Sequence, residues 1–222
     1  VRISRAIEPA KEEGGTVKVK TVAAAIAAGA ILVGTSALSA AEKAAKKPAQ
    51  PAMDEKAMME AWAKYATPGD AHKKLAGAEG SWTVKVKQWM APGAPPTETD
   101  GTSEMKMILG GRYLQQTYEG TMMGQPFTGM GYTGYDNFRK KYVETWMDSS
   151  GTSILMMTGT MDAAGKTMTS WGTMDDVMTG KKIKIKSTWT MDDADHSAFA
   201  MWGSGPDGKM GKMMEIAYSR KK

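Results

Sequence analysis

From residue 81 to the end of the chain, apolar and polar residues alternate in short runs with a period of two, the pattern of strands that bury one face. In Trp82-Thr83-Val84-Lys85-Val86-Lys87 the tryptophan and two valines share one face, while Thr83, Lys85 and Lys87 share the other. The same pattern predicts strands over residues 81–89, 102–109, 112–120, 127–135, 141–148, 153–161, 167–175, 182–191, 196–203 and 209–220. The segments between them carry turn chemistry, among them Pro92-Gly93, Gly110-Gly111, Asp136-Asn137, Ala164-Gly165, Thr179-Gly180 and Pro206-Asp207-Gly208. Strands with no helix between them leave two long edges unless the sheet closes. The expected fold class is therefore all-β, a closed antiparallel β-barrel of about ten strands over residues 80–222.

Upstream the period changes. Asp54 is placed to cap a helix in which Met58, Met59, Trp62 and Tyr65 recur near helical spacing, Pro68-Gly69 ends it, and Asp70 is placed to cap a second short helix through His72 and Leu75. Residues 54–79 thus predict one or two short helices, expected to plug one end of the barrel. Residues 42–53 are charged, rich in Ala and Pro and without an apolar face, which reads as a flexible linker. Before them, Lys18 and Lys20 precede an apolar run over 22–33, and Ser39-Ala40-Ala41 supplies small residues, the pattern of an N-terminal signal helix cleaved before Glu42. That apolar run is short of the ~20 residues a membrane span needs. Residues 1–16 show no periodicity, and Lys11-Glu12-Glu13-Gly14-Gly15 fits the purine-rich codons of a ribosome-binding site, so the natural start is expected at Val17 and residues 1–41 are read as leader plus signal peptide. The expected location is the periplasm or the medium.

Composition narrows the chemistry. The 222 residues carry a formal charge of +5, and without the five cations and three acids of residues 1–41 the remainder is +3, too weak a bias to imply nucleic acid. There is no cysteine, hence no disulfide, thiolate metal site or cysteine nucleophile, and no lipoprotein anchor. Two histidines cannot form a three-histidine metal site, and neither a Gly-x-Ser-x-Gly elbow nor a phosphate-binding glycine loop is present. No catalytic residue, metal or cofactor is assigned. The 21 methionines against three phenylalanines read as flexible core filler. A copper(I)-binding or oxidant-protective methionine surface would need thioethers clustered in a loop, whereas these are scattered.

Several strings together carry a resemblance: Pro68-Gly69-Asp70-Ala71-His72-Lys73-Lys74-Leu75 leading to Gly80-Ser81-Trp82, then Leu109-Gly110-Gly111-Arg112-Tyr113-Leu114, Tyr118-Glu119-Gly120, Met123-Gly124-Gln125-Pro126-Phe127, Gly134-Tyr135-Asp136-Asn137 and Met214-Glu215-Ile216-Ala217-Tyr218-Ser219-Arg220. Over residues 68–220 the chain resembles the bacterial family catalogued as domain of unknown function 1579. The resemblance implies a lipocalin-like (calycin) barrel and supplies no activity. The wider group includes fatty-acid binders, lipocalins and haem-binding nitrobindins, but the last strand here has no histidine to ligate haem, and His196 sits in the acidic turn after Asp192-Asp193-Ala194-Asp195. In this group an arginine of the last strand often lies across the tryptophan of the first, which assigns Gly80, Trp82 and Arg220 structural roles.

Carrying Trp82 inward and following alternation, the residues expected to line a ligand cavity are Arg112, Gln116 and Tyr118 on one strand, with Tyr132, Trp146, Trp171 and Trp189. Arg112 or Gln116 is expected to hold a polar head. Glu104, Glu119 or Glu144 would offer acid–base chemistry if one faced inward. The expected function is binding of a small hydrophobic or amphipathic molecule, with no nucleic-acid partner. The alternatives are an isomerase or hydrolase on the same barrel, or a protein-interaction role.

Overall fold

The structure, a computed structural model, describes residues 54–91 and 93–222. The leader, signal and linker expectations fall on residues outside these. Two helices, α1 (Glu55–Ala66) and α2 (Asp70–Ala76), precede the strands β1 (Gly80–Gln88), β2 (Thr97–Ile108), β3 (Tyr113–Met122), β4 (Gln125–Asp136), β5 (Lys141–Asp148), β6 (Leu155–Met161), β7 (Thr167–Asp176), β8 (Lys181–Met191), β9 (His196–Ser204) and β10 (Met210–Arg220). Each strand pairs antiparallel with its chain neighbours and β1 pairs with β10, closing a ten-stranded barrel. The sheet therefore closes as the alternation predicts.

Local chemistry explains the tight connections. Between β3 and β4 the turn is Met123-Gly124, both at positive φ (53° and 77°), the left-handed pair that a two-residue hairpin requires. The largest departure from the predicted boundaries is β2, which begins at Thr97, opposite Gln88 of β1. Its first four residues, Thr97-Glu98-Thr99-Asp100, include no apolar residue and so give no period-two signal.

One end of the barrel is closed by α2. Leu75 is fully buried there, Ala78 and Trp82 lie beneath it, and the Trp82 indole Nε1 donates to the Ala78 carbonyl at 3.0 Å. The cap differs from the predicted one: Gly69 rather than Asp70 precedes the helix, and its N–H donates to His72 Nδ1 at 3.0 Å. The expected plugging role of α1 is corrected. It buries no residue, and Trp62 (66% exposed) and Tyr65 (47%) meet at a tilt, with ring centroids 5.6 Å apart, outside the barrel. The end of α1 is instead held by Arg112, whose Nη2 donates to the Ala66 carbonyl at 2.8 Å, and by Asn137, which donates to the carbonyls of Tyr65 and Thr67.

The seam between first and last strands is closed at this end by Arg220. Trp82 faces Arg220 in register, and the guanidinium carbon lies 4.2 Å from the indole centroid. Arg220 also donates from Nε to the Ala194 carbonyl (2.7 Å), from Nη2 to Gly77 (2.9 Å) and from Nη1 to Glu79. Gly80 makes this approach possible: its φ is +131°, and a Cβ there would sit 2.5 Å from Arg220 Nη1.

Candidate functional site

Beyond α2 the interior changes character. Inward positions follow from parity with the buried residues Trp82, Val84, Ser103, Tyr118, Tyr142, Met168 and Tyr218 and from the strand registers. On that parity Gln116, Glu144, Trp146, Phe199, Met214 and Ile216 all point inward, yet each keeps part of its surface accessible. Surface exposed on an inward-facing side chain is surface that the packing of the interior leaves uncovered. Glycines on the inner wall help to shape the interior. Trp146 lies flat over Gly129 and Gly131, and a Cβ at Gly131 would sit 2.7 Å from the Thr145 carbonyl.

The lumen is polar in two places. In the first, Gln116 Nε2 donates to Ser103 Oγ (3.1 Å) and to Tyr218 Oη (3.2 Å), and Ser103 Oγ donates to the Thr117 carbonyl (2.7 Å). Burial pushes the Tyr218 hydroxyl up to about 12, against the opposing effect of the Gln116 hydrogen bond. Ser197, opposite Tyr218 in the β9–β10 register, is buried with no partner for its Oγ among the described residues. The second place centres on Glu144, which accepts a hydrogen bond from Ser170. Its carboxyl is walled off from bulk solvent while keeping some surface toward the lumen, and burial holds it above the usual carboxylate range despite the Ser170 bond. Next to Ser170 in register is Ser187, whose hydroxyl points at the Met157 sulfur (3.8 Å).

The residues predicted to line the cavity divide into three groups. Gln116, Tyr118, Trp146 and Trp189 face the lumen. Tyr132 and Trp171 do not, which corrects their predicted placement. Tyr132 pairs with Gln115 on the outer face and accepts from its amide at 3.2 Å. Trp171 is 50% exposed and faces Lys186 in register, at the head of an outer cross-strand row Trp171, Lys186, Trp202, Lys212 with ammonium-to-ring distances of 5.3–5.9 Å. Arg112 forms the third group: it precedes β3, and its guanidinium is spent on the Leu109 and Ala66 carbonyls, so it holds no head group in the lumen. Arg112 and Tyr132 share an open cleft of about 380 Å³ with Tyr65, His72 and Asn137 under the end of α1, and a second of about 280 Å³ lies against α2 and Tyr142. The polar groups of these clefts brace the helices: His72 accepts from Gly69, and burial holds its imidazole below the usual range.

Of the carboxylates raised as conditional candidates, Glu144 turns inward while Glu104 and Glu119 turn outward. The interior serines 103, 170, 187 and 197 were not among the predicted lining residues. A serine in an alternating strand reads as a solvent-facing position, and the signal that finds them is parity with their apolar neighbours, as in Ser103 with Met105.

These features define a closed antiparallel β-barrel with a capped end and an interior whose inward side chains are incompletely covered, among them the carboxyl of Glu144. A family model described as "Protein of unknown function (DUF1579)" matches residues 67–220, and the chain belongs to that family. No curated protein matches it in sequence. Among solved structures, it is similar to Rv2717c from M. tuberculosis, at 16% identity and a TM-score of 0.54, over 70% of this chain and 100% of that one. It is also similar to the S-type phycobiliprotein lyase CPES from Guillardia theta, at 11% identity and a TM-score of 0.48, over 70% and 99% of the two chains. A de novo designed fluorescence-activating β-barrel aligns at 15% identity and a TM-score of 0.38, over 69% and 100%. At these identities the first likeness speaks to the fold alone.

Proposed function

We propose that this protein is a lipocalin-like carrier that binds a small hydrophobic or amphipathic molecule inside the barrel. The observation that carries this reading is the partial exposure of inward-facing Gln116, Trp146, Met214 and Ile216. A cavity lined mainly by apolar and aromatic side chains, with a few convergent polar groups, is the usual form of a small-molecule site. Methionines on the wall, such as Met157, Met201 and Met214, let it adapt to more than one ligand shape. The signal-like pattern at residues 18–41 supports export as part of the same reading. N-terminal sequencing of the protein from its producing cell is expected to begin at Glu42.

Titration with a neutral fluorescent apolar probe tests the binding site. The expected result is saturable quenching of tryptophan emission that Trp146→Phe diminishes and Trp171→Phe leaves in place. Absence of binding across an apolar panel, or a signal carried by Trp171, overturns the lumen as the site.

A further inference from the structure

The lumen's charge is one-sided. Lysines of the strands alternate outward, as Lys85, Lys87, Lys106, Lys184 and Lys186 do. Among the described residues, the inward positions of the strands hold no Lys, Arg or His between Arg220 at the capped end and Lys181 on the opposite rim. Arg220 is committed to Trp82 and three carbonyls, and Lys181 is exposed opposite Asp176. Facing the lumen instead are two acids of β5, Glu144 and Asp148. Asp148 accepts from Trp146 Nε1 at 2.9 Å and from Ser150, whereas Glu144 accepts from Ser170 at Oε1.

We propose that the lumen selects amphiphiles whose polar head is a protonated amine, with Glu144 as its counter-charge. This rests on the binding reading above and names the ligand class of that same site. In a space shielded from bulk water, an acid without a compensating cation attracts a cation and repels a carboxylate strongly. An ammonium brings three donors and no acceptor. The wall answers with acceptors: the free oxygen of Glu144 and the Ser187 hydroxyl, which neighbours Ser170 in register. Two positions along β5 from Glu144 on the same face, Trp146 offers an indole for a cation to lie against. A fatty acid finds none of this, and Arg112, one of the two residues expected to hold a polar head, is engaged outside the lumen.

The test uses three twelve-carbon chains that differ in the head, dodecylammonium, dodecanol and dodecanoate, titrated calorimetrically below their micelle concentrations into the full chain. Dodecylammonium is expected to bind roughly tenfold tighter than dodecanol, the scale of one charge-assisted hydrogen bond, and dodecanoate is expected to bind weakest. Glu144→Gln is expected to abolish the ammonium advantage while leaving dodecanol unchanged. Dodecanoate binding as tightly as dodecylammonium overturns the proposal while the carrier reading stands, and this comparison needs no variant. An unaltered order in Glu144→Gln also overturns it. If no chain binds, the carrier reading falls and takes this inference with it.

Discussion

The capped end of the barrel and the lumen beyond it are built from the same strands, yet they handle polar groups in opposite ways. At the capped end, Arg220 meets three carbonyls and an indole, Trp82 Nε1 meets Ala78, and Leu75 is sealed beneath α2. In the lumen, Glu144 has no cation beside it among the described residues, and apolar residues such as Ile216 stay partly exposed. Complete satisfaction marks a region selected for stability, because an unmet buried polar group costs free energy. Incomplete satisfaction in a shielded space marks a region that something else is meant to complete.

Arg220→Ala breaks the contrast most severely. It removes the cation–π contact and leaves the carbonyls of Gly77, Glu79 and Ala194 without their donor, which together costs about 3 kcal/mol. For a domain of this size that lowers the melting temperature by roughly 6–12 °C, measurable by circular dichroism. Gly80→Ala strikes the same seam by a different route, forcing a side chain to φ +131° and toward the guanidinium, and is expected to cost about 2 kcal/mol in a urea titration.

Glu144→Gln is expected to act in the opposite direction. The unfolded carboxyl loses its proton near 4.5 and the folded one only at higher pH, so above pH 4.5 the folded state binds more protons and stability falls as pH rises. The variant removes that penalty and is expected to melt higher than the wild type at pH 7, with the gain vanishing as pH falls below 4.5. A loss of stability at neutral pH instead would place Glu144 among the structural groups.

His72 gives the smallest effect. Its folded imidazole protonates at lower pH than the unfolded one, whose value is near 6.5, because burial disfavours the charge and Arg112 repels it while a hydrogen bond to the Tyr135 backbone opposes both. As pH falls below about 6.5 the unfolded state binds more protons, so α2 is held less firmly in acid. The melting-temperature advantage of the wild type over His72→Gln is expected to shrink by about a degree or two between pH 7 and 5.5.

The barrel was legible because ten separate segments repeat one period, and the Trp82–Arg220 seam because both residues keep the buried parity at the two ends of the sheet. The lumen was legible where a strand has one clear parity, as in β5, whose Tyr142, Glu144, Trp146 and Asp148 share a face. It failed in β7, where Met168, Trp171 and Met174 recur every three residues and fit no single face; the register puts the largest of them outside. It failed again in β4, where Phe127 and Tyr135 take one parity and Met130 and Tyr132 the other. There the glycines decide the matter, because Trp146 occupies the space that Gly129 and Gly131 leave, a relation between strands that no single segment encodes. Arg112 was misassigned because its partner, the carbonyl of Ala66, lies 46 residues away.

The seam also sets the order in which the molecule can form. Thr83 donates to the Ser219 carbonyl across 136 residues, and the Lys221 amide returns to the Ser81 carbonyl. Every other strand pair of the barrel joins chain neighbours and can form as a local hairpin, whereas β1 stays half-paired until the last strand has emerged. Closing so long a loop is slow relative to hairpin formation. A nascent or threading chain that stops short of Arg220 therefore carries two raw sheet edges, and they are hidden only when the first strand meets the last.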